Sequence, residues 1–110
     1  MIGGNITAII QTNTSSKNAF GEIVRDWNNV SEITGFLDFI GGDGGYKSNY
    51  NGAIKETTNV FICDYTPLDI EPTRSRMIIE GKIYDILMID NPMNLNQHLE
   101  FMLKYNEVID

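Results

Sequence analysis

The sequence predicts an all-β fold: a small antiparallel β-barrel of about six strands with a long glycine-rich central loop. Three observations predict it. Val, Ile, Thr, Tyr and Phe are plentiful, and these types suit half-buried pleated strands. Short runs alternate apolar and polar residues with turn signals between them. No sustained helical period competes with that alternation.

The first strand falls within residues 1–15, where Ile6, Ala8 and Ile10 share one face. Gly3-Gly4 before it and Asn13-Thr14-Ser15-Ser16 after it are turn material. Residues 17–30 are expected as a polar connection, with a short helix over 17–26 as an alternative. A strand would then start near Asp26 with Trp27 pointing inward. In residues 31–40, Ile33, Leu37 and Phe39 share a face, and Gly35 between them marks a bend or bulge.

Residues 41–58 open with Gly41, Gly42, Asp43, Gly44, Gly45, Tyr46 and Lys47, followed shortly by Tyr50. So little aliphatic content does not offset ordering entropy, and the run is expected as a mobile loop. Strand character returns at 59–65, with Phe61, Cys63 and Tyr65 on one face. Pro67 and Pro72 bracket a second loop, and Arg74 to Ile79 resumes a strand. Glu80-Gly81-Lys82 is a tight hairpin signal. Ile83 to Ile89 follows, with Tyr84, Ile86 and Met88 on one face, and Asn91-Pro92 ends it. A last strand from His98 to Tyr105 alternates Leu99, Phe101, Leu103 and Tyr105 with polar or outward neighbours. The last three strands, joined in order, make an antiparallel meander. The expected core is Trp27, Leu37, Phe39, Phe61, Tyr84, Ile86, Leu99, Phe101 and Leu103, with Phe36 as a further core aromatic.

At 110 residues the chain is expected to form a single domain over 1–110. Its 42 % hydrophobic content is that of a globular protein. The net charge of -7 disfavours general binding to phosphate backbones. It suits an acidic wall past which a duplex moves without sticking. Cys63 is the sole cysteine, so neither an intrachain disulfide nor a cysteine metal cluster is available. No apolar run approaches the length of a membrane helix, and no signal peptide is visible.

The residues offer little chemistry. His98 is the only histidine, and no spacing joins it to Cys63 as base and nucleophile. Asp38 with Asp43, or Asp64 with Asp69 and Glu71, are the carboxylates to consider for a metal. Gly42-Asp43-Gly44 matches only a fragment of a calcium loop. The glycine run lacks the spacing and following helix of a phosphate loop. Arg74 and Arg76, with Tyr46 and Tyr50, would form a single-strand binding groove were the chain less acidic. The residues therefore predict no enzyme, no catalytic or metal site and no cofactor.

The order of features resembles a known family. Gly21-Glu22-Ile23-Val24-Arg25-Asp26-Trp27, leading to Val30 and Ile33-Thr34-Gly35-Phe36-Leu37, is similar to the front half of phage head closure, or head-tail joining, proteins. The glycine-rich run falls where that family has its central loop, and Thr57 to Tyr65 is similar to the strand after it. Met77 to Ile86, Ile89-Asp90-Asn91-Pro92 and His98 to Lys104 are similar to its hairpin, exit and closing strand. The resemblance covers nearly the whole chain, although residues 11–18 are more neutral than the basic opening usual in the family.

The resemblance implies a β-barrel subunit that is monomeric when isolated. It implies assembly as a ring below the portal and adaptor proteins, closing the DNA-filled head and docking tail proteins. It further implies that Gly41 to Thr58 plugs the channel or contacts a neighbouring copy, and that double-stranded DNA passes without specific binding. The implied location is the virion's head-tail interface, after synthesis in the bacterial cytoplasm, with no membrane partner. A tail completion or terminator ring protein is the neighbouring alternative, and a single-stranded nucleic-acid-binding barrel is the more distant one.

Overall fold

The computed structural model describes residues 4–39 and 57–109. Six strands run in chain order: β1 (Ile6–Lys17), β2 (Ile23–Phe39), β3 (Asn59–Asp64), β4 (Ser75–Ile79), β5 (Lys82–Asp90) and β6 (His98–Val108). They close into a barrel in the order β1-β2-β3-β6-β5-β4, and every neighbouring pair is antiparallel. The C-terminal meander is present as expected. Short 3-10 turns, Pro72–Arg74 and Pro92–Asn94, precede β4 and β6. Among the described residues there is no α-helix, and none is long and apolar enough to cross a membrane.

Strand β2 begins well before the point the sequence suggested. Residues 17–26 hold neither a polar connection nor a helix, but the end of one strand, a turn and the start of the next. Asn18 makes that turn: its Oδ1 accepts the Phe20 N–H at 2.9 Å and the Glu22 N–H at 3.0 Å. Gly21 supplies the positive φ of 79°. A local side-chain acceptor thus competes successfully with helix formation. The Glu80-Gly81 turn fits the hairpin signal, with φ of 50° and 75° at its two central residues.

Inward positions of all six strands form the core. Phe61 and Phe101 meet edge to face across β3 and β6, with ring centroids 6.3 Å apart. Ala8, Ile10, Met77, Ile79, Tyr84, Ile86, Leu99 and Leu103 pack around them. Of the expected core residues, Phe61, Tyr84, Ile86, Leu99, Phe101 and Leu103 are buried, and Leu37 packs half-buried against them.

Trp27 and Phe39 are not core. Between Ile10↔Ser31 and Gln11↔Asn29 the register of β1 and β2 slips, leaving Val30 as an extra residue in β2. An odd residue inverts the alternation. Trp27, an even number of positions from Ile33, is therefore delivered to the opposite face and is 37 % exposed. Phe39 is the last residue of β2, paired with Asn59 at the barrel rim, and is 79 % exposed. Phe36 alternates with inward Gly35 and Leu37, and it also faces out.

A second bulge, at Leu87, turns Met88 away from the face of Tyr84 and Ile86 and brings Ile89 onto the core instead. Gly35 is not the bulge. It marks a close approach, because a Cβ there would lie 2.1 Å from the Ile62 carbonyl oxygen on β3.

Candidate functional site

The barrel wall accounts for only part of β1 and β2. Strand β1 pairs with β4 through Ala8 to Thr12, and β2 pairs with β3 through Gly35 to Phe39. Beyond those rungs, among the described residues, Asn13–Lys17 and Ile23–Trp27 pair only with each other, as a two-stranded ribbon projecting past the barrel.

Directly opposed residues share a face of such a ribbon. One face carries Asn13 with Trp27, Ser15 with Arg25, and Lys17 with Ile23. Phe20 at the tip and Ile23 are 87 % and 69 % exposed. Where this face meets the barrel, the Arg76 guanidinium stacks over the Trp27 ring, 4.1 Å from its centroid. Arg76 Nε–H also donates to Gln11 Oε1 at 2.8 Å, and Gln11 Nε2–H donates to Asn29 Oδ1 at 2.9 Å. Arg74 donates to the Asn13 carbonyl at 3.0 Å. The ribbon is thus held to the barrel by two arginines acting on its backbone and its tryptophan. Sequence reasoning singled out Arg74 and Arg76 together with Tyr46 and Tyr50, which lie outside the described residues; Arg74 reaches Asn13 and Arg76 lies over Trp27. Lys17 and Arg25 were missed. Their i, i+2 relation to Trp27 and Ser15 is the available signal, masked by the expected connection.

The opposite wall has a different character. In the order β1-β2-β3-β6-β5-β4, β6 lies directly across the barrel from β1, and β3 directly across from β4. The outer face of this wall carries two rungs. One reads Phe36, Ile62, Glu100, Asp90; the other reads Asp38, Val60, Met102, Met88. Val60 and Met102 are buried there, whereas Phe36 stays 47 % exposed. His98, paired with Asp64 in register, meets Glu100 at 3.0 Å.

His98 and Cys63 do not meet. Cys63 points into the core, while His98 lies on the outer face with Glu100. Burial, and then the charge of Asp64, push the Cys63 thiol up to about 11, so it is protonated at neutral pH. Among the described residues, no three His, Cys, Asp or Glu side chains gather as a metal site. A shallow open hollow of about 350 Å³ lies at the ribbon end of the barrel, lined by Tyr65, Leu68, Ile70, Pro72, Ile89 and neighbours, with no charged side chain in its lining. The candidate loop residues Gly41, Gly42, Asp43, Gly44, Gly45, Tyr46, Lys47 and Tyr50 lie outside the described residues.

These features define a closed six-stranded antiparallel barrel with a projecting ribbon and two chemically distinct outer faces. No protein-family profile and no curated protein matches the chain. Solved structures do share its fold. Protein SF1141 from Shigella flexneri 2a superposes with a TM-score of 0.71 at 20 % identity, covering 93 % of this chain and 92 % of that one. A chain in the virion of a native gene transfer agent particle superposes with a TM-score of 0.58 at 14 % identity, and both chains are covered completely.

Proposed function

We propose that this chain is a structural subunit of a tailed-phage head-to-tail connector. In this reading it assembles as a ring below the portal and adaptor, closes the DNA-filled head and docks the tail. The observation that carries the reading is the likeness to a virion component, which covers both chains completely. The order of sequence segments similar to head closure proteins supports it independently. The chain works by binding and catalyses nothing; the inward, protonated Cys63 and the separate His98 support that view. Its acidic charge suits a channel through which DNA moves without being held.

The test adds the purified chain to the portal-adaptor complex of the same phage and to tail-less, DNA-filled heads. A ring of copies stacked on the connector, seen by electron microscopy or native mass measurement, is the expected result. A folded chain that binds neither, and is found only on free tails, overturns head closure in favour of a tail-terminator role.

A further inference from the structure

We propose that the outer face of the ribbon docks an extended acidic segment of another protein, one whose carboxylates stand at alternate positions. The proposal stands apart from the connector reading and holds for any assembly in which the chain meets such a partner.

Charge on this molecule is unevenly placed. The described residues include six basic side chains, and four of them, Lys17, Arg25, Arg74 and Arg76, lie on or beside the ribbon. The rungs of its outer face are Gln11 with Asn29, Asn13 with Trp27, Ser15 with Arg25 and Lys17 with Ile23, and none holds an acid. Asp26 pairs with Thr14 on the other face. Glu22 lies in the turn, where it accepts from Asn18 Nδ2 at 3.4 Å. Asp85, in register with Arg76, accepts from Asn106 Nδ2 at 3.1 Å. Among the described residues the ion pair is His98 with Glu100, and Lys17 and Arg25 stand unpaired. On a chain of net charge -7 this is a cationic face without internal compensation.

Spacing defines the partner. Same-side rungs of a ribbon repeat at about 7 Å. Lys17, Arg25 and the Arg76 guanidinium over Trp27 occupy three successive rungs. An extended segment repeats its same-side side chains at the same interval, so carboxylates at three alternate positions meet all three cations. Exposed Phe20 and Ile23 lie beside them and take an apolar flank of the same segment. A DNA duplex is the competing occupant of a basic face. It carries about one charge per 1.7 Å, runs on past the ribbon over the acidic remainder of the chain, and its phosphates leave Phe20 and Ile23 uncovered. A second copy does not supply the segment, because nowhere does this sequence hold acids at three alternate positions.

The probe is a short synthetic peptide that alternates glutamate with threonine and ends in leucine. It is titrated into the isotopically labelled chain at low ionic strength, where exposed charges are least screened. Binding is followed by amide NMR shifts and by the emission of Trp27, the sole tryptophan. Shifts confined to residues 13–17 and 23–27, altered emission and loss of both as salt rises are expected. Lys17→Glu with Arg25→Glu is expected to weaken binding at least roughly tenfold, since reversal replaces attraction by repulsion. Lys82→Glu with Lys104→Glu changes net charge equally but away from the ribbon, and is expected to stay within about twofold of wild type. Circular dichroism checks that both variants fold.

A ribbon whose amides do not move overturns the proposal, as does equal binding of a peptide with lysine in place of glutamate. Equal weakening by the two variants overturns it too, since net charge alone would then govern binding. A DNA duplex that binds the ribbon more tightly than the peptide, with binding lost on Lys17→Glu and Arg25→Glu, assigns the face to a polyanion instead. Ribbon amides that shift with protein concentration alone, before peptide is added, assign it to a second copy and likewise overturn the proposal. None of these failures touches the connector reading, which is decided separately by docking on the portal-adaptor complex.

Discussion

Replacing Gly35 by alanine probes the barrel at its tightest point. The added methyl would lie 2.1 Å from the Ile62 carbonyl oxygen and 2.9 Å from its carbon. A carbon and a carbonyl oxygen settle near about 3.3 Å, so β2 and β3 must separate by more than ~1 Å. Relief on the other side is limited: a Cβ on Gly4 would lie 2.3 Å from the Gly35 oxygen, so that backbone is also in close contact. Overpacking of this kind costs about 1–3 kcal/mol. One or two loosened ladder hydrogen bonds add about 1 kcal/mol each. Alanine's smaller entropy loss returns roughly 0.5–1 kcal/mol. The net expectation is a loss of about 2–4 kcal/mol, which lowers Tm by roughly 10–25 °C for a chain of this size. Urea and thermal unfolding followed by circular dichroism measure it. Gly21→Ala is the comparison: a Cβ there meets nothing within 4 Å, and only the positive φ is strained, at about 1–2 kcal/mol. A Gly35→Ala protein within about 0.5 kcal/mol of wild type would refute the close-approach account.

The remaining predictions address the core, the pH response and the bulge. Phe101→Ala, at a fully buried ring packed on Phe61, is expected to cost about 3–5 kcal/mol in urea unfolding, whereas Phe20→Ala at the exposed tip stays within about 0.5 kcal/mol. Stability is expected to fall as pH rises from about 9 towards about 11: the unfolded thiol ionises first, while buried Cys63 keeps its proton. Burial, then Tyr105 and Glu80, raise Tyr84 in the same direction, so Cys63→Ala should reduce the alkaline slope in urea midpoints without abolishing it; an unchanged slope removes the burial argument. Arg76→Ala removes the stack on Trp27 at about 0.5–1 kcal/mol. Deleting Val30 should turn residues 23–29 over, shift the emission of the sole tryptophan and cost more than Arg76→Ala; unaltered emission would show that the bulge does not set the face.

The strand count, the meander and the inner faces of β3 and β6 were legible because the register of that pair runs without a bulge from Asn59 to Asp64 and from His98 to Leu103. What misled the reading was parity. A bulge adds one residue whose composition is unremarkable, and Val30 and Leu87 look like any other strand residue. Across each, faces exchange, so Trp27, before Val30, and Met88, after Leu87, were assigned to the wrong side. The ribbon was hidden for a different reason. Residues 13–28 are polar because most of them face solvent on both sides, and a strand without a buried face has no alternation to read. What specifies it is long-range: arginines sixty-one and sixty-five positions away reach Asn13 and Gln11.

That ribbon is hard to understand as a device for folding the barrel alone. Closing a sheet into a barrel removes its edges, yet here β1 and β2 run on past closure and, among the described residues, leave two edges without a strand partner. The bulge at Val30 moves the only tryptophan off the inner-facing parity and onto the ribbon's outer face, although the core is filled without it. Exposed Phe20 and Ile23 add apolar surface that contributes nothing to the monomer, and an uncovered edge of this kind invites unwanted pairing. Exposed Phe20 and Ile23 cost the isolated chain, whereas Trp27 is held in place by the Arg76 stack. Trp27 and Ile23 share one ribbon face with Arg25 and Lys17. Apolar side chains exposed beside basic ones make this ribbon face the part of the described surface least explained by the stability of the monomer.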